Sequence, residues 1–318
     1  MRAARAVVSI ENPKLSIENS SVLSLRDLES WSFDGTALAV IGQPISHSIS
    51  PAMHNAALAA MARIDRRFAT WKYFRFEVPP ADLADALALL HARNFRGINL
   101  TIPHKVLAID HVAAIDPAAK AIGAVNTLLR TTTGWRGFNT DGYGLAAGLR
   151  EDLGLDLAGA PIVLLGAGGA ARGAAIECLD RRCASLGIVN RTPEHLASLL
   201  RALAPLRRSI SLRGFAPNAV PADLAAGAIV INATSAGLRD SDAPPIDLAA
   251  LPRPAGVYDM IYNPPRTALL RIAENLGLRC ANGLSMLVHQ GARSLAIWSD
   301  AEVPVNAMRE AARAALRV

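Results

Sequence analysis

Cysteine is scarce in this 318-residue chain: Cys178, Cys183 and Cys280 are an odd set without C-x-x-C spacing. That pattern excludes a disulfide framework and fits a reducing, cytoplasmic setting. The seven histidines contain no H-x-x-x-H or H-E-x-x-H pair, so no metal is expected. No apolar run approaches the ~18–20 residues that a membrane span needs. Aromatic residues make up only 5%, and the lysines and arginines behind the net charge of +6 are scattered. Without a basic run or an aromatic-interleaved strand, nucleic acid is not an expected partner. A mild positive field suits instead a phosphate-bearing cofactor and an anionic small-molecule substrate.

What is present is enough apolar material, 51% of the chain, for two cores, and the length fits two domains. Residues 1–35 stand apart, with a short internal echo (Ser9-Ile10-Glu11-Asn12, then Ser16-Ile17-Glu18-Asn19) and little periodicity. Ala6-Val7-Val8 is too short for a signal-peptide core, and Glu11, Glu18, Asp27, Glu29 and Asp34 are too many acids for a transit peptide. The expectation is a poorly ordered N-terminal extension. From Ala37 onward strands and helices alternate. Strands are expected at 37–41, 71–78 and 97–101, helices at 51–63 and 80–93, and a hairpin from 125–130 and 134–138. A second series follows, with strands at 161–165, 186–189, 210–215, 228–232 and 256–262 and helices at 169–179 and 193–204. Such alternation implies a parallel sheet covered on both faces. The chain from Leu284 on reads as helical, with no further strand.

Ile162-Val-Leu-Leu-Gly166-Ala167-Gly168-Gly169-Ala170-Ala171-Arg172 reads as a buried strand, a glycine turn and a helix start, and fits G-x-G-x-x-A. In such a nucleotide-binding turn Gly166 permits the tight bend, Gly168 lets the backbone approach a pyrophosphate, and Ala171 keeps helix and sheet close. Backbone N–H groups at the helix start then hold the phosphate anion. About 20 residues on, where NAD enzymes place an acid for the ribose hydroxyl, the chain has Asn190-Arg191-Thr192. An arginine there pairs with a 2′-phosphate and selects NADP.

Four polar clusters lie at the ends of first-half elements. Ser48 and Ser50, two apart, can turn their hydroxyls to one side and bind a carboxylate; the alternative is that Ser50 only caps the helix opened by Pro51. Asn99 and Thr101 share a strand face, with Lys105 on the next turn. The others are Gly123-Ala-Val-Asn126-Thr127 and Gly137-Phe-Asn139-Thr140-Asp141-Gly142.

Taken with GQPISHSISPAMHN, INLTIPHK, IGAVNT, FNTDG, LLGAGGAARG, VNRT, INATSAG, YDMIYNP and NGLSMLVHQ, in that order from about Ala37 to the end, the chain resembles shikimate dehydrogenase. The resemblance implies reduction of 3-dehydroshikimate to shikimate with NADPH, a step of chorismate and aromatic amino-acid biosynthesis. It implies that Ser48 and Ser50, helped by Tyr262, bind the carboxylate, that Asn99, Thr101, Asn126, Asp141 and Gln290 hold the ring, and that Lys105 and Asp141 are the catalytic pair. It assigns Gly166, Ala167, Gly168, Gly169 and Ala170 to the pyrophosphate, Asn190, Arg191 and Thr192 to the adenosine phosphate, and Thr234, Met260 and Gly283 to the nicotinamide side.

The implied fold is α/β, with a discontinuous substrate-binding domain (36–139 and the C-terminal helices 284–318) and an inserted Rossmann NADP-binding domain (140–283) built on a parallel sheet. Hinge motion is expected near 139–143 and 280–284. Two features depart from the family pattern: His195 stands where a second arginine is common, and the 35-residue leader has no counterpart in compact members. An NAD-using quinate/shikimate dehydrogenase and a non-catalytic sensor of shikimate-like acids are the alternatives. Retention of both Lys105 and Asp141 speaks against the sensor. The resemblance is compatible with a homodimer.

Overall fold

The computed structural model of the chain describes residues 21–101, 103–221 and 227–317. The first half forms a six-stranded mixed sheet from β1 (Thr36–Gly42), β2 (Trp71–Glu77), β3 (Gly97–Leu100), β4 (Ala114–Ile115), β5 (Thr127–Thr131) and β6 (Gly134–Phe138). Their order is β2-β1-β3-β5-β6-β4. β1 pairs in parallel with both β2 and β3, because α2 (Ser50–Ile64) and α3 (Leu83–Ala92) supply the crossovers that parallel pairing needs. The short helix α5 (Pro117–Ile122) leads from β4 to β5. β5 and β6 form the hairpin, antiparallel to each other, and β5 is antiparallel to β3.

The second half contributes β7 (Pro161–Leu165), β8 (Ser185–Val189), β9 (Ser211–Phe215), β10 (Ile229–Asn232), β11 (Gly256–Asp259) and β12 (Cys280–Asn282). These pair in the order β12-β11-β10-β7-β8-β9, every pair parallel. Helices α7 (Gly169–Asp180), α8 (Pro193–Leu203) and α9 (Ala268–Asn275) join β7 to β8, β8 to β9 and β11 to β12. The apolar runs that mark β7, β8 and β10 are buried on both faces, as a central parallel strand requires. The order reverses between β7 and β10. This is the doubly wound arrangement, and the crevice beyond the carboxyl ends of those two strands is where such sheets bind ligands.

The chain passes from the first sheet to the second through α6 (Asp141–Leu153) and returns through α10 (Leu284–Ser299). The two helices meet closely enough to demand glycine: a Cβ on Gly144 would lie 2.6 Å from the Met286 carbonyl oxygen, and one on Gly148 2.9 Å from the Met286 backbone nitrogen. α10 and the last helix, α11 (Val305–Leu316), bury Val288, Leu295, Trp298, Met308 and Ala312 against β1, β2 and α2 of the first sheet. Among the described residues no helix is long and apolar enough to cross a membrane.

The reading of residues 1–35 as a poorly ordered extension needs correction. Residues 1–20 lie outside the described residues, but 21–35 belong to the first core. Leu23 bridges to Phe76 of β2, its N–H donating to the Arg75 carbonyl at 2.9 Å. The short helix α1 (Leu25–Glu29) opens with a capping box, in which the Ser24 N–H donates to Asp27 Oδ2 at 2.7 Å and the Asp27 N–H donates to Ser24 Oγ at 3.4 Å. Leu28 and Trp31 are buried, and the indole stands edge-on to Phe74 and Phe76 at 4.8 and 5.5 Å. The spacing Leu23, Leu25, Leu28, Trp31 was the available signal. Leu28→Ala is expected to lower stability by about 2–3 kcal/mol, read as a lower denaturant midpoint with an unchanged slope.

Candidate active site

The loops after β1 and β3, the first turn of α6 and the middle of α10 enclose a cleft of about 330 Å³ facing the second sheet. Its first-sheet wall carries Ser48, Ser50, Asn99, Thr101 and Lys105, with Asp141 and Gln290 from α6 and α10; Met260, Tyr262 and Gly283 line it from the other side. Ten of the residues singled out in the sequence thus meet in one place. Asn126 does not line the cleft but lies one layer behind it.

Lys105 comes from α4 (His104–Leu107), the turn after β3, and Asp141 opens α6, where the positive end of the helix dipole favours a carboxylate. The Lys105 ammonium donates to Asp141 Oδ2 at 2.6 Å, with both side chains about a quarter exposed. Asp141 Oδ1 accepts from Asn126 Nδ2 at 2.8 Å, and the Asp141 N–H donates to Asn139 Oδ1 at 3.0 Å. Both carboxylate oxygens are therefore occupied, and the ammonium is aimed into the cleft mouth from a fixed partner.

Behind this pair runs a buried polar chain that sequence reasoning missed. The Thr140 N–H donates to Asn126 Oδ1 at 2.9 Å, and Thr140 and Thr127 both meet Ser294 Oγ, at 3.2 and 2.7 Å. Asn99 Nδ2 faces the Asn126 carbonyl, Thr127 Oγ1 and Ser294 Oγ at 3.0–3.1 Å, while Asn99 Oδ1 accepts from the Tyr73 hydroxyl at 2.8 Å. The Asn99 carboxamide is committed to protein partners on both its ends and fixes the wall it stands in. Burial pushes the Tyr73 phenol well above its ordinary pKa, so it remains a donor. The Tyr73 ring stacks on His54 at 4.0 Å, and His54 Nδ1 meets the Ser50 carbonyl at 2.9 Å. Burial lowers the His54 pKa to about 4, which keeps the imidazole neutral at pH 7.

Helix α2 starts at Ser50 with Ile49 at its cap position and no side-chain cap, so the reading of Ser50 as a mere cap does not hold. Ser50 borders the cleft, as does Ser48.

The glycine turn lies at the carboxyl end of β7, at the point where strand order reverses. Gly166 has φ +111° and a Cβ there would sit 3.1 Å from the Ala233 carbonyl oxygen and from the Thr234 methyl, so the turn passes tightly over the end of β10. Gly168 and Gly169 have open space where a Cβ would be. They and Ala170 are exposed at the start of α7, while Ala171 is buried against the sheet. The cradle therefore has the free N–H groups and the room that a pyrophosphate needs. Asn190, Arg191 and Thr192 follow β8, with Asn190 Nδ2 donating to the Thr192 carbonyl at 2.9 Å and Arg191 exposed. His195 is exposed one turn further on. Thr234 Oγ1 donates to Asn232 Oδ1 at 2.7 Å; Gly283 passes so close to the loop after β11 that a Cβ there would meet the Met260 carbonyl oxygen at 2.2 Å, and its N–H donates to the Ile261 carbonyl at 3.1 Å.

Comparison with known proteins gives a consistent result. Residues 40–128 match the shikimate dehydrogenase substrate binding domain, and residues 283–313 the shikimate 5′-dehydrogenase C-terminal domain. The chain is 41% identical over 290 residues to the shikimate dehydrogenase (NADP(+)) of Moorella thermoacetica, across 88% of this chain and 93% of that protein. It is 40% identical over 288 residues to the protein of the same name from Symbiobacterium thermophilum, across 89% and 95%. The crystal structure of shikimate 5-dehydrogenase from Thermus thermophilus in complex with NADP(H) and shikimate superposes with a TM-score of 0.76 at 35% identity, covering 88% of this chain and 99% of that one.

Proposed function

The chain belongs to the shikimate dehydrogenase family, and from that premise we propose that it reduces 3-dehydroshikimate to shikimate with NADPH, reversibly. The observation that carries the reading is the Lys105–Asp141 pair, 2.6 Å apart, in a cleft whose opposite lip is Met260 and Gly283. Gly166, Ala167, Gly168, Gly169 and Ala170 would hold the pyrophosphate, Asn190, Arg191 and Thr192 the adenosine phosphate, and Thr234, Met260 and Gly283 the nicotinamide end. Bound there, NADPH supplies the hydride chemistry.

The protein supplies orientation and the proton. As a ketone carbon takes hydride, negative charge grows on its oxygen. Lys105 stands where it stabilises that charge and delivers a proton, and Asp141 keeps the ammonium in place. Ser48 and Ser50, with the Tyr262 phenol that burial keeps protonated, bind the ring carboxylate. Thr101, Asp141 and Gln290 orient the ring hydroxyls against the wall that Asn99 fixes, and Asn126 acts from behind by holding Asp141. The three free thiols support a reducing, cytoplasmic setting.

Initial rates with shikimate and quinate, each with NADP⁺ and NAD⁺, test the assignment. Shikimate with NADP⁺ is expected to exceed every other pairing by about tenfold or more in kcat/KM. Dominance of quinate with NAD⁺ would leave the catalytic pair in place and overturn the specificity. Tight binding of shikimate without turnover in any pairing would make the protein a sensor.

A further inference from the structure

Strand β2 alternates two faces. Phe74 and Phe76 enter the core that Trp31 covers, so Tyr73 and Arg75 take the opposite face, toward α2 and the cleft. Arg75 is 8% exposed, unusual for so long a cation. Its Nη1 donates to the Ser46 carbonyl at 2.5 Å and to the Ser48 carbonyl at 3.0 Å. Both oxygens belong to the loop that presents the Ser48 hydroxyl and runs into Ser50. Arg75 itself is not among the residues lining the cleft.

We infer that Arg75 is a positioning and specificity residue for the substrate carboxylate, acting through the Ser46–Ser50 loop without touching the acid. The inference rests on the reading of the cleft as a site for a carboxylated ring. A loop that must receive an anion is harmed by its own carbonyl oxygens. Arg75 holds two of them on a guanidinium that does not itself line the cleft. The cis peptides in the described chain are Gln43–Pro44 and Asn263–Pro264, so the units 46–47 and 48–49 are trans. In a trans unit N–H and C=O point in opposite directions. With the carbonyls of Ser46 and Ser48 on the guanidinium, the N–H groups of His47 and Ile49 are turned away from it, and the peptide dipoles present their positive ends on the far side.

The same β2 face secures the other end of the loop, through Tyr73 stacked on His54 and His54 on the Ser50 carbonyl. The two contributions differ in charge. His54 is neutral at pH 7, whereas Arg75 brings a guanidinium against the carbonyl oxygens of the loop that carries the serines. Arg75 therefore shapes the loop and biases it toward an anion at once.

The test uses the full chain carrying Arg75→Met or Arg75→Lys, with shikimate and with its uncharged methyl ester, each with NADP⁺. Arg75→Met is expected to raise KM for shikimate about tenfold or more, with kcat changed by less than about threefold, because the lost interaction is made equally in ground and transition states. KM for the methyl ester should rise by less than about threefold, so the preference for acid over ester collapses. Arg75→Lys keeps the charge but reaches only one carbonyl, and should retain part of that preference.

Equal losses on acid and ester would mean a purely structural role and would overturn the proposal, as would unchanged KM. If Arg75→Met does not fold, Arg75→Lys decides: a fall of about threefold in acid-over-ester preference supports the inference, and none overturns it. Failure of the wild type to oxidise shikimate would count against the function itself. Normal wild-type turnover with indifferent Arg75 variants would count against this inference alone.

Discussion

Lys105→Ala is expected to lower kcat for shikimate oxidation by about 10²–10⁴, with KM for both substrates within about threefold of wild type. The reason is local. Among the described residues Lys105 is the one lysine or arginine that lines the cleft, and its ammonium donates to Asp141 Oδ2 at 2.6 Å. In the oxidation direction a hydroxyl must lose its proton as hydride leaves, and in reduction a carbonyl oxygen must gain one. On the proposed reading both demands fall on the Lys105 nitrogen, as the neutral amine that takes the proton in oxidation and as the ammonium that gives it in reduction. Its removal takes away a group needed most when charge is greatest on the oxygen, so kcat and kcat/KM should fall together.

Asp141→Asn should fall by less than Lys105→Ala but move KM as well. Asp141 accepts at both oxygens, from Lys105 and from Asn126. An amide in its place must turn an NH₂ toward one of those donors, which disturbs the buried chain through Thr140 and Ser294. A Lys105→Ala enzyme with wild-type kcat would remove Lys105 from the chemistry. A loss confined to KM would make it a binding residue only.

Most parts of this site that the sequence exposed sit where a strand stops; Gln290, in the middle of α10, came only from the resemblance. Thr101, Lys105, Gly166, Asn190 and Met260 all follow the end of a buried apolar run, and such ends are easy to locate when the run is continuous, as in β7 and β8. The supporting residues had no such marker. Tyr73 and Arg75 share a period-two face with nothing to distinguish them from an ordinary strand, and Ser294 is one of several small residues, with Gly291 and Ala292, on the inward side of α10. Their partners are distant in sequence, with Asn99 and Ser294 separated by 195 positions. Local pattern cannot reveal a pairing of that range.

Elements escaped notice for a related reason. α6 is rich in glycine where it crosses α10, which dilutes the helical signal. β12 has only three residues and β4 two, too short for any alternation to show. Residues 21–35 adjoin a segment with little periodicity and read together with it, although the apolar spacing that buries Leu28 and Trp31 is present.

The largest effect on stability should come from a single methyl group. Gly97→Ala is expected to cost about 3–5 kcal/mol, as much as deleting a buried aromatic side chain. A Cβ at Gly97 would lie 2.2 Å from Trp298 Nε1 and 2.3–2.4 Å from two ring carbons, far inside contact distance. Neither side can yield easily. Gly97 is held in the sheet by pairing with Leu38 on one strand and Leu129 on another. Trp298 is fully buried, its indole N–H donates to the Leu128 carbonyl at 2.9 Å, and its own carbonyl accepts from Arg96 Nε at 3.1 Å. The methyl group therefore forces the indole out of its slot.

The displacement should be felt in the cleft. The indole lies 5.9 Å from His54 and 6.1 Å from Tyr73, the two rings that stand behind Ser50 and Asn99. Any Gly97→Ala protein that folds should thus also show a raised KM for shikimate. Trp298→Leu provides the internal check. Alone it opens a cavity and should cost a similar amount, but combined with Gly97→Ala the smaller side chain leaves room for the methyl. The pair should then be less destabilised than the sum of the single changes by about 1–3 kcal/mol, measured by denaturant unfolding. Strict additivity would mean that the indole is not what Gly97 makes room for, and the anchoring of the C-terminal helices on β3 would have to be sought elsewhere.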